Sequence, residues 1–93
     1  MPAMVDSMFT NGYQQVVAAI VAMRKQAGLT QRELAEALGR EQNLVGRIET
    51  GQRRVDRVEF VWICRACGVK PEEQVVQLVR RLAGMASPRR RGR

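Results

Sequence analysis

The stretch Thr30–Gly51, TQRELAEALGREQNLVGRIETG, decides the fold of this chain. Thr30 offers a hydroxyl that can cap a helix, and Glu33, three residues later, completes a capping box. Leu34, Ala35 and Leu38 recur at the spacing of one helical face, while Gln31, Arg32, Glu33 and Glu36 take the other. Gly39 then stands where a chain leaving a helix favours a left-handed residue. A second helix resumes at once, with Leu44, Val45 and Ile48 inward and Gln42, Asn43, Gly46 and Arg47 outward, and Gly51 ends it. Two helices this short, joined by so tight a turn, cannot lie antiparallel; they are expected to cross steeply.

Upstream, YQQVVAAIVAMRKQA (Tyr13–Ala27) reads as an alanine-rich helix with Val17, Ile20, Val21 and Ala27 inward and Gly28 at its end. Residues 1–11 show no clear period and are expected to form a flexible terminus, with Phe9 resting on the body. Downstream, QRRVDRVE is a basic loop carrying Arg53, Arg54 and Arg57. Asp56 can cap a helix over 57–67 whose inward face is Phe60, Val61, Ile63, Cys64 and Cys67. Pro71 suits the first position of a last helix that reaches Ala83, with Glu72 and Glu73 at its positive end and Arg80 and Arg81 at its negative end. Glu36 and Arg40 are spaced as an i,i+4 ion pair. The spacing thus predicts an all-α, compact five-helix domain over residues 12–84 and a disordered basic tail over 85–93.

With 93 residues the chain allows one domain, small enough to gain from oligomerising. Its 45% hydrophobic and 27% charged content suits a folded domain rather than a disordered polymer. Sixteen basic residues against nine acidic ones give a net charge of +7, which favours nucleic acid or an anionic surface as partner. Arg89, Arg90, Arg91 and Arg93 supply over half of that excess. The absence of histidine removes the usual general base and the commonest metal ligand. Val16–Met23 is too short an apolar run to span a bilayer, and no secretory leader is visible, so a cytoplasmic, nucleoid-associated location is expected, with no membrane partner.

Cys64 and Cys67 form a C-x-x-C, but no βαβ pattern accompanies it and four zinc ligands cannot be assembled. Core packing accounts for them, so neither metal nor cofactor is expected. The carboxylates are scattered singly, without a nucleophile, and no enzyme is expected. Trp62 lies opposite Ile63 and Cys64 on its helix, and is either incidentally exposed or part of an interface. In the last helix, Val75, Val76, Leu78, Val79 and Leu82 cover more than one narrow stripe. Together these residues suggest a homodimer interface, with a heterologous protein partner as the alternative. Arg24, near the inward stripe of the first helix, either folds its stem over apolar surface or pairs with Glu49.

The pattern LTQRELAEALG, followed by a short helix ending R-I-E-x-G, resembles the helix-turn-helix of phage repressors and Cro-type (XRE-like) regulators. The similarity runs from about Val21 through Pro71 and includes VEFVWICRACGVKP. It implies a lambda-repressor-like domain whose second motif helix enters the major groove of double-stranded DNA. By resemblance, Gln42, Asn43 and Arg47 read bases, amides suiting adenine and arginine suiting guanine. Gln31, Arg32, Arg40, Arg53 and Arg54 would contact phosphate, and Arg24 would pair with Glu49 between the first and third helices. Glu41 stands where serine or threonine is usual; it leaves the helix without its ordinary cap and offers a carboxylate that could accept from cytosine. Gly46 costs a helix about 1 kcal/mol against alanine and could let the backbone approach DNA closely. Leu44 either packs inside or touches a thymine methyl. The function implied is that of a dimeric repressor, with an antitoxin that binds a partner through its last helices and regulates its own promoter as the alternative.

Overall fold

Thr30 and Asp56 start their helices by the same device. The Thr30 hydroxyl accepts the Glu33 N–H at 3.0 Å while the Glu33 carboxylate accepts the Thr30 N–H at 2.8 Å. Asp56 and Glu59 repeat the exchange at 2.8 and 3.2 Å, so each box satisfies two otherwise orphan donors. A computed structural model describes residues 2–85 of the chain, with side chains from residue 12 onward. Five helices follow in order: α1 (Pro2–Gln26), α2 (Gln31–Leu38), α3 (Gln42–Glu49), α4 (Arg57–Ala66) and α5 (Pro71–Ala83). No strand occurs among the described residues. No helix there is long and apolar enough to cross a membrane. The Phe9 side chain and the arginines of the tail lie outside the described residues.

The turn between α2 and α3 is set by Gly39. Its φ of 69° lies in the left-handed region. Arg40 N–H can therefore reach back to the Ala35 carbonyl at 2.9 Å, and Gly39 N–H to that of Glu36 at 3.0 Å. This six-to-one and five-to-two pairing closes α2. It also turns Arg40 away from the helical path, so the spacing with Glu36 no longer brings the two side chains together. Arg40 lies instead 3.8 Å from Glu59. At the start of α3, Glu41 is the N-cap and makes no side-chain cap hydrogen bond.

The core forms where α1 to α5 converge. Ile20, Leu34, Val45, Ile48, Ile63 and Cys64 are fully buried, and Phe60, Cys67 and Leu78 close around them. Truncating one such side chain to alanine typically costs about 2–5 kcal/mol. Leu44 belongs to this core, leaving no methyl contact to offer outside. Leu78 also points inward, 8% exposed; this corrects its expected place in a dimer interface, because at position eight of α5 it falls on the stripe facing α1 and α4. Cys64 and Cys67 are free and buried. The Cys64 Sγ contacts the Met23 Sδ at 3.7 Å, and burial pushes its thiol up to about 11.

α1 departs from its sequence reading in two ways. It is helical from Pro2, where residues 1–11 suggest a loose segment. Proline suits a first helical position, and only Gly12 interrupts the run. A Cβ at Gly12 would lie 3.7 Å from Leu82 Cδ2, so the helix passes close beside α5 at that point. The buried face is also rotated: Ala19, Ile20 and Met23 are inside with Val16 packed against them, Val17 and Val21 are half-buried, and Ala27 is exposed. Eight consecutive apolar residues, 16–23, leave the phase of the stripe undetermined until neighbours are in place.

Glu59 ties the loop after α3 to α4. Its carboxylate accepts from both Nη atoms of Arg53, at 3.0 and 2.8 Å. Those bonds, opposed by burial, hold its carboxyl below the usual carboxylate range. The stabilisation is therefore complete above the unfolded value of about 4.3, and is lost as the pH falls through the lower folded value. Glu59→Gln is expected to lower stability at neutral pH and to give a shallower acid limb below about pH 4, measured by urea unfolding across pH. Gly39→Ala is expected to cost about 1 kcal/mol through its positive φ. That corresponds to a fall of roughly 4–8 °C in Tm, followed by circular dichroism.

Candidate nucleic-acid interface

α3 presents two chemically distinct sides. Leu44, Val45 and Ile48 bury one of them against α1 and α2. The other carries Gln42, Asn43 and Arg47, all exposed, with Gly46 half-buried between them. Among the described residues, the side chains of Gln42, Asn43 and Arg47 make no hydrogen bond or ion pair. Their donors and acceptors therefore face outward, unengaged, from a rigid helix. Glu41 is exposed at the leading end of the same face.

The back of this face is fixed by an ion pair. Arg24 of α1 donates from Nε to Glu49 Oε2 at 2.6 Å and from Nη2 to Oε1 at 3.0 Å, and its Nη1 donates to the Leu29 carbonyl at 2.9 Å. Both side chains are largely buried, 12% and 7% exposed. Removing one partner of such a pair leaves an uncompensated charge and typically costs about 3–5 kcal/mol. Gln31 of α2 joins the pair, its Nε2 donating to Glu49 Oε1 at 2.9 Å. One carboxylate thus fastens α1, α2 and α3 together. Gln31, read from sequence as a phosphate contact, is half-buried at the seam between the two motif helices.

The cations around α3 divide by what holds them. Arg32 is exposed on the first turn of α2 and Arg40 is exposed in the turn. Arg53 is engaged: besides Glu59, its Nη1 donates to the Arg54 carbonyl at 3.0 Å. It therefore shapes the loop and is not the ready phosphate anchor expected. Arg54 is exposed and lies over the Tyr13 ring, 4.4 Å from its centroid. The Tyr13 hydroxyl accepts the Val55 N–H at 2.9 Å. Tyr13 thus fastens the basic loop to α1 and supports Arg54 by a cation–π contact. Sequence reading missed this role, because the contact spans 42 residues and leaves no local period.

The apolar residues expected at an interface lie on two helices. Val75, Val76, Val79 and Leu82 are exposed along α5, and Trp62 on α4 is 53% exposed. Val58, one turn before Trp62 on the same stripe, is equally exposed. Trp62 also borders a shallow groove lined by Ala37, Leu38, Arg65 and Ala66, which places it beside the end of α2.

Comparison with known proteins agrees with this architecture. The family model of a helix-turn-helix domain matches residues 16–78. Among solved structures, the chain is similar to an XRE-family like protein from Pseudomonas syringae pv. tomato str. DC3000. That match has a TM-score of 0.76 and 33% sequence identity, over 87% of this chain and 98% of the other. It is also similar to the clp gene regulator ClgR from C. glutamicum, with a TM-score of 0.66 and 25% identity, over 77% of this chain and 94% of that one. No curated protein matches significantly. The five-helix architecture, the matched residues and the identity to the Pseudomonas protein together place the chain in the XRE-like helix-turn-helix family.

Proposed function

We propose that the protein is a DNA-binding transcription regulator that reads operator DNA as a symmetric dimer and represses by occluding polymerase. The observation that carries this reading is the outward face of α3, where two carboxamides and a guanidinium project unengaged from a helix locked on its other side. Carboxamides pair with adenine and guanidinium with guanine in the major groove. Exposed Arg32, Arg40 and Arg54 flank that face and supply sequence-independent attraction to phosphate. The likeness to an XRE-family protein and to ClgR, a clp gene regulator, supports the same reading.

The dimer reading rests on α5. Its exposed stripe is apolar in the middle, with Glu72 and Glu73 in the first turn and Arg80 and Arg81 in the last. Two copies of α5 packed antiparallel would bury the valines and set the acidic start of each against the basic end of the other. That is the self-complementarity a two-fold interface requires. Trp62 adds an exposed aromatic from α4. Such a dimer would present its two recognition helices to successive major grooves, about 34 Å apart.

Selection from a random DNA library is expected to return a palindromic motif for the wild-type chain. Arg47→Ala is expected to relax one position per half-site, at a cost of about 1–3 kcal/mol at that base, with the rest of the motif retained. An unchanged motif would show that the reading face lies elsewhere. Val79→Asp is expected to give a folded monomer by sedimentation equilibrium and to weaken operator binding. Persistence of the dimer would rule out α5 as the seam.

A further inference from the structure

Gly46 of α3 has a side chain of the preceding helix beside it. A Cβ built on Gly46 would meet the Oε1 of Gln31 at 3.6 Å, an ordinary van der Waals distance. Gln31 belongs to α2, yet its carboxamide lies against α3, with Oε1 beside Gly46 and Nε2 on Glu49 one turn further on. The orientation of that carboxamide is dictated by its partner. Glu49 is a carboxylate that only accepts, and Arg24 fixes it from behind through two hydrogen bonds. The NH2 of Gln31 must therefore face Glu49, at 2.9 Å, and the carbonyl oxygen must take the other side, above Gly46.

We propose that Gln31 is a specificity-determining residue: its Oε1, held over Gly46 by the Arg24–Glu49 pair, accepts a hydrogen bond from the exocyclic amine of a base in the major groove. Adenine N6 and cytosine N4 are the amines displayed there, so the position read in this way prefers adenine or cytosine over guanine or thymine. The second N–H of the amide remains for a neighbouring phosphate. The inference rests on the DNA-reading role proposed above.

The test uses the full chain and the random-library selection. Besides the adenine positions read by Gln42 and Asn43, the wild type is expected to show one further adenine- or cytosine-preferring position per half-site that Arg47→Ala leaves intact. Gln31→Met keeps the length of the stem and removes the amide; it is expected to lose the preference at that position alone and to weaken the best site about five- to tenfold. A second measurement needs no variant: replacing the adenine at that position by purine, which lacks the amine, is expected to weaken wild-type binding to a similar extent. The proposal is overturned if Gln31→Met weakens all sequences alike, or if the purine site binds as well as adenine. A wild-type chain that selects no motif would overturn the DNA-reading role itself, a result distinct from these two.

Discussion

The buried carboxylate of Glu49 holds the arrangement of the first three helices. It lies at the end of α3 and is reached by Arg24 from α1 and by Gln31 from α2, with both oxygens in use. A carboxylate so enclosed is costly unless fully partnered, and three hydrogen bonds partner it here. Because the donors come from different helices, satisfying the charge and orienting the helices are one event. Arg24 is itself completed by the Leu29 carbonyl, which anchors the link between α1 and α2. The apolar core supplies most of the driving force for folding. The ion pair instead supplies direction, since a guanidinium and a carboxylate tolerate little rotation about each other.

A second carboxylate does related work at the start of α4. Glu59 closes the capping box of α4, and in the same position receives Arg53 from the loop after α3. Tyr13 meets that loop from α1 through the Val55 N–H. The segment between α3 and α4 contains little apolar surface and would otherwise be loose. Side-chain hydrogen bonds from α1 and α4 give it a defined path, and that path sets where Arg54 stands. Polar residues that seem interchangeable in the sequence therefore divide into those that build the surface and those that remain available on it.

Much of this architecture is legible locally. The capping boxes at Thr30 and Asp56, the left-handed Gly39 and the inward sets of α2 and α3 all follow from residues within one or two turns of each other. The same is true of the unpaired outward face of Gln42, Asn43 and Arg47, because a short amphipathic helix with three buried aliphatics has only one way to face. Legibility fails where the local pattern is degenerate or the partner is distant. The apolar run 16–23 is consistent with several helical phases, and only contact with α3, α4 and α5 selects the one that buries Ala19 and Met23. Arg53 and Arg54 are adjacent and alike, yet one is engaged by Glu59 and the other stacks on Tyr13.

The sequence by itself therefore determined the elements: five helices, the tight turn at Gly39, the basic balance, and the side of α3 that faces outward. These depend on backbone preference, capping and the 3.6-residue period, all of which act over a few residues. Only the tertiary structure decided which groups from other elements join that side and which are drawn into the core or into ion pairs. It placed Leu78 in the core, bound Arg53 to α4, and brought the Gln31 carboxamide over Gly46. These outcomes depend on charges and hydrogen-bonding groups far apart in the chain, whose partners exist only once the helices have packed.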